Sequence, residues 1–474
     1  MKKYLLAVYL FLTSACSRES QVPSSIPETA IQNEIDQALL SPSFEYGPWV
    51  SKKWWRLLHD CQLETFIQTA LYQNPTLKMA IDQVLIAEQL AEGQRSPLLP
   101  WVFLEADSLK AKVSKTGPLE NIPPTLFPFS FRQTQTFLSF SFIIDWWGKN
   151  RSALKASLGD MQATIAESAV AKLMITIKVA EAYYQHQVSL NRLTLAQQAV
   201  RNRERFLALS MARMDNGLDS DFSIQRAQQA LSQKKQLLFS LQQGASASLN
   251  SLRTLLSGDF QEEVLPVDLD DMGTSPFALP PELPLDLIGH RPEIIAQLWR
   301  IQAASHRIHV ARTNFYPNID LLGLFGFQTI HLSELLKDPS RSMLWGPALQ
   351  LPIFQGGLLT AILKESEFEY ALAVDQYEQL VDRAVQEVLD GITAVRTTAE
   401  IWTETKAFQD IAYELTILAQ KKLEHNISSE IEILQLEKDW LEARDAAIQA
   451  KGHQIFSFLA LVKSLGGGYD VEQL

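Results

Sequence analysis

Gln133-Thr134-Gln135-Thr136-Phe137-Leu138-Ser139-Phe140-Ser141-Phe142-Ile143-Ile144 is a run of β-forming residues that ends at Asp145-Trp146-Trp147-Gly148. Thr134, Thr136, Leu138, Phe140 and Phe142 fall on one side, Gln133, Gln135, Phe137, Ser139 and Ser141 on the other. That period of two marks a strand. Gly148 to Asn216 then contains no Pro and one internal Gly, Gly159. At 1.5 Å per residue this is ~100 Å of helix. A strand of membrane length running straight into such a helix is the unit from which the rest of the chain is read.

The same sequence of features occurs twice. Asn74-Pro75 opens a helical segment that runs to Ser96 and Leu99-Pro100-Trp101; Arg291-Pro292 opens its counterpart, ending in Phe315-Tyr316-Pro317, at an offset of 217. Asp145 matches Pro352 at an offset of 207, and Asn216-Gly217-Leu218-Asp219-Ser220 matches His425-Asn426-Ile427-Ser428-Ser429 at 209. The loss of about ten residues falls in a shorter loop, Ile330–Arg341 in place of Ser114–Arg132. Near-constant offsets along a chain indicate duplication. The extended runs are Trp101–Val113, Gln133–Ile144, Asn318–Ile330 and Met343–Ile353. Each is close to the ~9–11 residues a tilted membrane strand needs. Four strands cannot close a barrel, and an open edge is intolerable in lipid, so several chains would share one barrel. Periodicity alone leaves a small soluble β-domain as the alternative.

The helical segments carry heptad stripes. Ala166, Ala169, Leu173, Thr176, Ala180 and Tyr183 advance in threes and fours. So do Val374, Tyr377, Val381, Ala384, Val388, Gly391 and Val395, and Ala227, Leu231, Lys234, Leu238, Leu241, Ala245, Ser248 and Leu252. This is coiled-coil spacing. Thr176, Lys234 and Gly391 interrupt it, which suits helices paired around a wall better than a dense core. An ordinary soluble coiled coil shares the pattern.

Composition narrows the function. With 42 Lys and Arg against 54 Asp and Glu, the net charge is −12, the wrong sign for a nucleic-acid binder. Beyond the first 16 residues no stretch of 18 uninterrupted apolar residues occurs, which excludes a multi-span helical membrane protein. Eight His and two Cys leave little for metal chemistry. Met1-Lys2-Lys3, an apolar core from Tyr4 to Leu12, and Thr13-Ser14-Ala15-Cys16 form a secretory signal. It looks like a bacterial lipoprotein signal in which Cys16 is lipidated, although Thr13 stands where Leu is usual; the alternative is an ordinary signal cleaved nearby, with Cys16 incidental. Ser17 after the Cys, rather than Asp, permits sorting to the outer membrane in many Gram-negative bacteria. Residues 17–47, rich in Ser, Pro and Glu, read as a tether. Cys61 is then left alone and reads as a small buried hydrophobe.

Taken together, these features resemble the outer membrane efflux proteins of the TolC type, specifically the lipidated outer channels of tripartite drug pumps. Asn74-Pro75-Thr76-Leu77 is similar to the family's opening signature. Leu283-Pro284-Leu285-Asp286-Leu287-Ile288-Gly289-His290-Arg291-Pro292-Glu293-Ile294 resembles its mid-chain signature, with His290-Arg291 for two Arg and Pro292-Glu293 for Pro-Asp. Pro352-Ile353-Phe354-Gln355-Gly356-Gly357 resembles the turn after the second strand pair, and Leu465-Gly466-Gly467-Gly468-Tyr469 the C-terminal ending. The resemblance implies an internally duplicated α+β membrane protein and a homotrimer. Four membrane β-strands per chain would contribute to a twelve-stranded barrel, continued by a long periplasmic α-helical barrel with an equatorial domain. The implied organisation is a signal peptide at 1–15, a lipid-anchored tether and N-terminal equatorial segment at 16–50, and a first repeat at 51–256. A Pro-rich equatorial linker at 257–284, a second repeat at 285–463 and a tail at 464–474 complete it. Implied partners are a periplasmic adaptor (membrane fusion) protein, an inner-membrane transporter and outer-membrane lipid, with no nucleic acid. No cofactor is expected beyond the covalent lipid on Cys16.

In this family the periplasmic tip is the turn between the helices of each half. Gly217, Leu218, Asp219 and Ser220, and Asn426, Ile427 and Ser428, are therefore expected to contact the adaptor. Ser220, Ser429, Asp219 and Asp221 suit helix caps or first turns. By motif position Glu432 takes one lumen carboxylate, Gln435 stands where a second acid is common, Ile431 matches an apolar constriction residue and Lys438 a basic neighbour. Three copies of Glu432 on a threefold axis would form a ring favouring cations. The segment from Glu430 to Lys438 suits a solvated helix face equally well.

Other motifs carry nothing. Gly466-Gly467-Gly468 lacks the strand and helix of a phosphate loop. His306 and His309, three apart, lack further ligands and read as surface residues. No nucleophile motif frames the Ser, His and Asp residues, so no enzyme is expected. The functional expectation is a passive exit duct for small molecules with an iris-like periplasmic gate. The alternatives are an outer channel for type I protein secretion and a pore-less periplasmic coiled-coil scaffold or adaptor.

Overall fold

The computed structural model describes residues 44–112, 114, 116, 123, 130–257, 264–271, 277–279 and 289–469. The signal, Cys16 and the tether before Phe44 lie outside the described residues, as do Leu283–Ile288 of the mid-chain string, most of the Ser114–Arg132 loop and the last five residues.

The first half comprises α1 (Cys61–Gln73), α2 (Pro75–Arg95), β2 (Trp101–Lys112), β3 (Ser130–Ile143), α3 (Lys149–Asp215) and α4 (Asp221–Leu255), preceded by the short β1 (Phe44–Tyr46). After the short β4 (Phe277–Leu279), the second half runs α5 (Pro292–Thr313), β5 (Asn318–Thr329), β6 (Arg341–Gln350), α6 (Leu358–Glu424) and α7 (Glu430–Ser464). α3 and α6 each have 67 residues and α4 and α7 each 35. The duplication therefore extends to helix length.

The long strands form one antiparallel sheet in the order β2-β3-β5-β6. Leu138 of β3 faces Leu104 of β2 on one side and Phe325 of β5 on the other. Two hairpins, one from each half, thus lie edge to edge, and β2 and β6 are left as outer strands. β1 pairs in parallel with β4, Phe44 opposite Phe277, joining the N-terminal segment to the linker between the halves.

Local chemistry explains the helix ends. Asn74 has extended backbone angles, and its Oδ1 accepts from the Thr76 amide at 2.8 Å, with Pro75 at the first helical position. Its Nδ2 donates to the Leu255 carbonyl at 2.8 Å, so one side chain starts α2 and closes α4. Arg291 holds the equivalent place differently. It is buried, its Nε lies 2.9 Å from Glu293 Oε1, and its Nη2 bonds Glu387 of α6.

The core lies where the two halves meet β1 and α1. Trp54, Phe66, Ile67, Ile177, Tyr183, Leu252, Ile392 and Leu461 belong to one buried cluster. Full burial of side chains this size contributes ~1.5–3 kcal/mol each. The C-terminal glycines seal it. Gly466 has φ +79, and a Cβ there would sit 2.0 Å from the His290 carbonyl oxygen. The Trp49 ring stacks on His290 at 4.3 Å, and its Nε1 donates to the Leu465 carbonyl at 3.1 Å. The glycine string therefore exists for close backbone approach in a left-handed turn.

The linker is stitched to both halves. Gln187 of α3 donates Nε2 to the Leu265 carbonyl at 2.8 Å and accepts from the Val267 amide at 2.9 Å; Asn191 donates to the Val267 carbonyl at 3.0 Å. Three residues on, Asp270 accepts from Lys406 of α6 at 2.7 Å.

One expectation fails. Cys61 is exposed. Asp60 caps α1 through the Gln62 and Leu63 amides, and the helix then turns Leu63, Phe66, Ile67 and Ala70 inward, leaving its first residue on the outer side. Among the described residues, no helix is long and apolar enough to cross a membrane.

Candidate functional site at the helix tips

Both tips end in the same device. In the first, the Leu218 amide donates to the Arg213 carbonyl at 2.9 Å and the Gly217 amide to Met214 at 2.8 Å. In the second, Ile427 donates to Lys422 at 2.9 Å and Asn426 to Leu423 at 2.8 Å. This pair of bonds is the Schellman motif, which needs a left-handed residue at its centre. Gly217 supplies it with φ +69 and Asn426 with φ +56.

The motif turns one apolar side chain outward at each tip. Leu218 is 67% exposed and Ile427 74%. Phe222, in the first turn of α4, is 69% exposed and lies against Arg226. Phe222 escaped the sequence reading because it falls just past the turn; an aromatic where caps and charges are expected was the available signal. Asp219 is held below the ordinary carboxyl range, first by the Ser223 hydroxyl and then by the Ser220 amide, and its Oδ2 lies 3.8 Å from Arg213. Ser220 stands at the N-cap without a side-chain cap bond; Ser429 does cap, accepting from the Glu432 amide at 3.4 Å.

Beyond the second tip, Ile431 and Lys438 are half-buried, Glu432 and Gln435 exposed. Steps of four and three place Ile431, Gln435 and Lys438 in one stripe of α7, with Glu432 one position round. The Ser428 hydroxyl donates to Glu432 Oε2 at 2.8 Å, so this carboxylate also steadies the helix start. Lys438 is bound to its own helix, to Asp439 at 2.9 Å and Glu442 at 3.2 Å. The Asp439 bond, and then Glu442, raise its pKa above the ordinary lysine value against the effect of burial. Among the described residues no group of three or more His, Cys, Asp or Glu could hold a metal ion.

A second set of residues fastens the first-half coil to α7. Arg192 of α3 pairs with Asp445 at 2.7 Å. Asn202 of α3, buried, donates to the Leu434 carbonyl and to Glu437 Oε2, both at 3.0 Å. Lys234 of α4 bonds Glu442 at 3.0 Å. Burial would lift the Glu442 pKa, but Lys234 and Lys438 bring it below the ordinary value. Lys234 was visible as an interruption of the α4 heptads. Arg192, Asn202 and Asp445 carry no such signal, and nothing local in the sequence pairs them.

A family model described as outer membrane efflux protein matches residues 66–258 and 283–467. A multidrug resistance outer membrane protein of Escherichia coli (strain K12), MdtP, is 28% identical over 439 residues, covering 89% of this chain and 87% of its own. The outer-membrane channel OprN superposes with a TM-score of 0.80 at 22% identity, over 91% of this chain and 95% of its own. The Campylobacter jejuni outer membrane channel CmeC gives 0.78 at 21%, over 90% of each.

Proposed function

This chain belongs to the outer membrane efflux protein family and is an outer-membrane efflux channel; we propose that it works as a homotrimeric exit duct in a tripartite pump. The observation that carries the assembly is the surface left uncovered among the described residues. β2 and β6 are open edges of a four-stranded sheet, and unpaired backbone in lipid costs several kcal/mol per group. Ile401, Phe408, Ile411, Leu415 and Leu418 of α6 are all exposed and follow heptad spacing. Three chains contributing four strands each would pair β2 of one with β6 of the next and close a twelve-stranded barrel.

In this reading the helices continue the pore into the periplasm, and the reaction catalysed is none. Energy comes from an inner-membrane transporter through a periplasmic adaptor, which meets Gly217–Ser220 and Asn426–Ser428 through the apolar tips. Gating is an iris-like movement of α7 away from α3 and α4, resisted by the Arg192–Asp445, Asn202–Glu437 and Lys234–Glu442 contacts. Glu432, three copies on the axis, forms the acidic ring beside Ile431, with Gln435 weakening it relative to a two-acid site. Cys16 carries the lipid that holds the N-terminus in the membrane. MdtP, described as a multidrug resistance protein, supports small, chemically varied solutes as cargo.

Electron-microscope imaging of the detergent-extracted full chain, with conductance in planar bilayers, tests the assembly. A hollow threefold tube with a compact β end is expected, conducting only weakly when its tips are closed. A solid rod without conductance overturns the duct.

A further inference from the structure

The pairing register assigns every charged residue of the four long strands to one face of the sheet or the other. Ser108 bonds Thr134 across β2 and β3 at 2.9 Å, and Gln135 Nε2 donates to Asp107 Oδ2 at 2.7 Å. Even-numbered residues of β2 therefore share one face and odd-numbered ones the other. Glu105 and Asp107 lie on the odd face, and Asp320 joins them through its partner Ile143. Lys110, Lys112 and Arg132 lie on the even face, and Arg341 joins them through its partner Phe327. The acids and the bases of these strands are completely separated.

The basic face is otherwise apolar. Val102, Leu104, Leu138, Phe140, Phe325 and Trp345 belong to it. In a closed outer-membrane barrel such a face meets lipid. Its cations gather at the loop end of the sheet, away from the long helices. Lys110 stands nine residues beyond Trp101, and Arg341 nine before Gln350. Nine residues rise about 31 Å along a strand, or about 23 Å in height at a tilt of about 40°. The apolar band of such a barrel is about 25 Å tall. The cations thus stand at the outer interface, level with the headgroups of the outer leaflet.

Nothing on the sheet neutralises them. Lys110 and Arg132 are direct cross-strand partners, and Lys112 follows about 7 Å along β2. Like charges placed opposite each other repel. All four residues are exposed, and none forms an ion pair among the described residues. The strand acids face the other way, and Glu334 of the β5–β6 loop bonds Lys337 at 2.7 Å.

We infer that this face binds a polyphosphorylated glycolipid of the outer leaflet. Its phosphates accept from Lys110, Lys112 and Arg132, and its acyl chains lie along Leu104 and Leu138. A headgroup with one phosphate leaves part of the opposed charge unrelieved, so several phosphates are preferred. In the proposed barrel β6 of one chain lies beside β2 of the next, which brings Arg341 towards the neighbouring patch. The inference rests on that barrel reading, because closure is what turns the basic face to lipid.

Native mass spectrometry of the full chain in a non-ionic detergent tests this, with bilayer conductance of the same sample read alongside. The probes are diphosphoryl lipid A, monophosphoryl lipid A and phosphatidylglycerol. The diphosphoryl form should be retained at least about tenfold better than phosphatidylglycerol, with the monophosphoryl form between them. Lys110→Gln with Arg132→Gln should lower that retention by at least about tenfold. Glu105→Gln, on the opposite face, should leave it unchanged. Lys112→Gln, a single change at the exposed strand end, should give a partial loss even if the double variant fails to assemble. A conducting channel that retains no lipid A, or retains all three lipids equally, overturns the inference and leaves the duct standing. Retention unchanged in the basic-face variants overturns it as well. A chain that never conducts overturns the duct, and this inference with it.

Discussion

Arg192 of α3 grips Asp445 of α7 through two hydrogen bonds, Nε to Oδ1 at 2.7 Å and Nη2 to Oδ2 at 3.1 Å. Both side chains are half-buried, and the two residues come from opposite halves of the duplication. Removing either partner leaves a half-buried charge and costs the tie about 1–3 kcal/mol. Arg192→Ala and Asp445→Ala should each raise single-channel conductance and admit large antibiotics to cells. The exchange Arg192→Asp with Asp445→Arg should restore most of the closed behaviour. Conductance unchanged in both single variants means this contact takes no part in closure.

At the second tip, Glu432→Gln removes one negative charge per chain with little change of shape. The trimer should then lose part of its preference for cations over anions and be blocked less strongly by a trivalent cation. The Ser428 contact can persist with a glutamine oxygen, so folding should be preserved. Reversal potentials under a salt gradient supply the test, and identical values for both channels would remove Glu432 from the pore.

Gly466→Ala meets two obstacles, a left-handed backbone with φ +79 and the His290 carbonyl oxygen 2.0 Å from the new Cβ. The opposing atom is backbone and cannot rotate away. A loss of about 2–4 kcal/mol is expected, read as a large drop in thermal midpoint. Gly217→Ala, which meets only the unfavourable φ, should cost about 1–2 kcal/mol.

Phe408 and Ile411 are exposed on α6 within a heptad stripe that is uncovered among the described residues. A carboxylate placed there is buried if chains associate through this face. Phe408→Asp with Ile411→Asp should shift the detergent-extracted protein from trimer towards monomer in light scattering. Unchanged trimers would assign the contact to another face.

Glu387 predicts a pH effect. Burial alone would raise its pKa, but the Arg291 bond, followed by that of Arg383, brings it below the ordinary 4.5. A carboxyl depressed on folding stabilises the protein fully above the unfolded value and loses that contribution as pH falls through the folded one. Thermal midpoints should therefore decline below about pH 4.5, and less steeply in Glu387→Gln. Parallel declines in both proteins would assign the acid sensitivity elsewhere.

Much of this architecture was legible because it rests on local repetition. The first strand was expected at Trp101–Val113 and occupies Trp101–Lys112; the long helix from Gly148 occupies Lys149–Asp215. Period-two alternation and the absence of Pro act within a few residues, and so do the caps at Asn74 and Gly217. Cys61 was misjudged from residue type alone, although the inward spacing of Leu63, Phe66 and Ile67 already placed it outside. The fastening contacts were hidden for a different reason. Asn202 and Glu437 are separated by 235 residues, and only the packing of α3 on α7 brings them together. Lys438 was placed by motif position, which says nothing of its bonds to Asp439 and Glu442.

The stitched linker has a mechanical meaning. Gln187 and Asn191 hold Leu265 and Val267 against α3, and three residues on Asp270 is held by Lys406 of α6. Below Asn191, α3 runs a further 24 residues to Asp215, an arm of about 36 Å. A tilt of about 10° around that fulcrum sweeps the free end through about 6 Å, comparable to the width of a small solute. Because these contacts sit far from the free end of α3, a modest rotation about them moves the tip much further than it moves the contacts themselves. The linker, the one junction between two copied halves, thus touches both long helices at the place where a tilt would have its fulcrum.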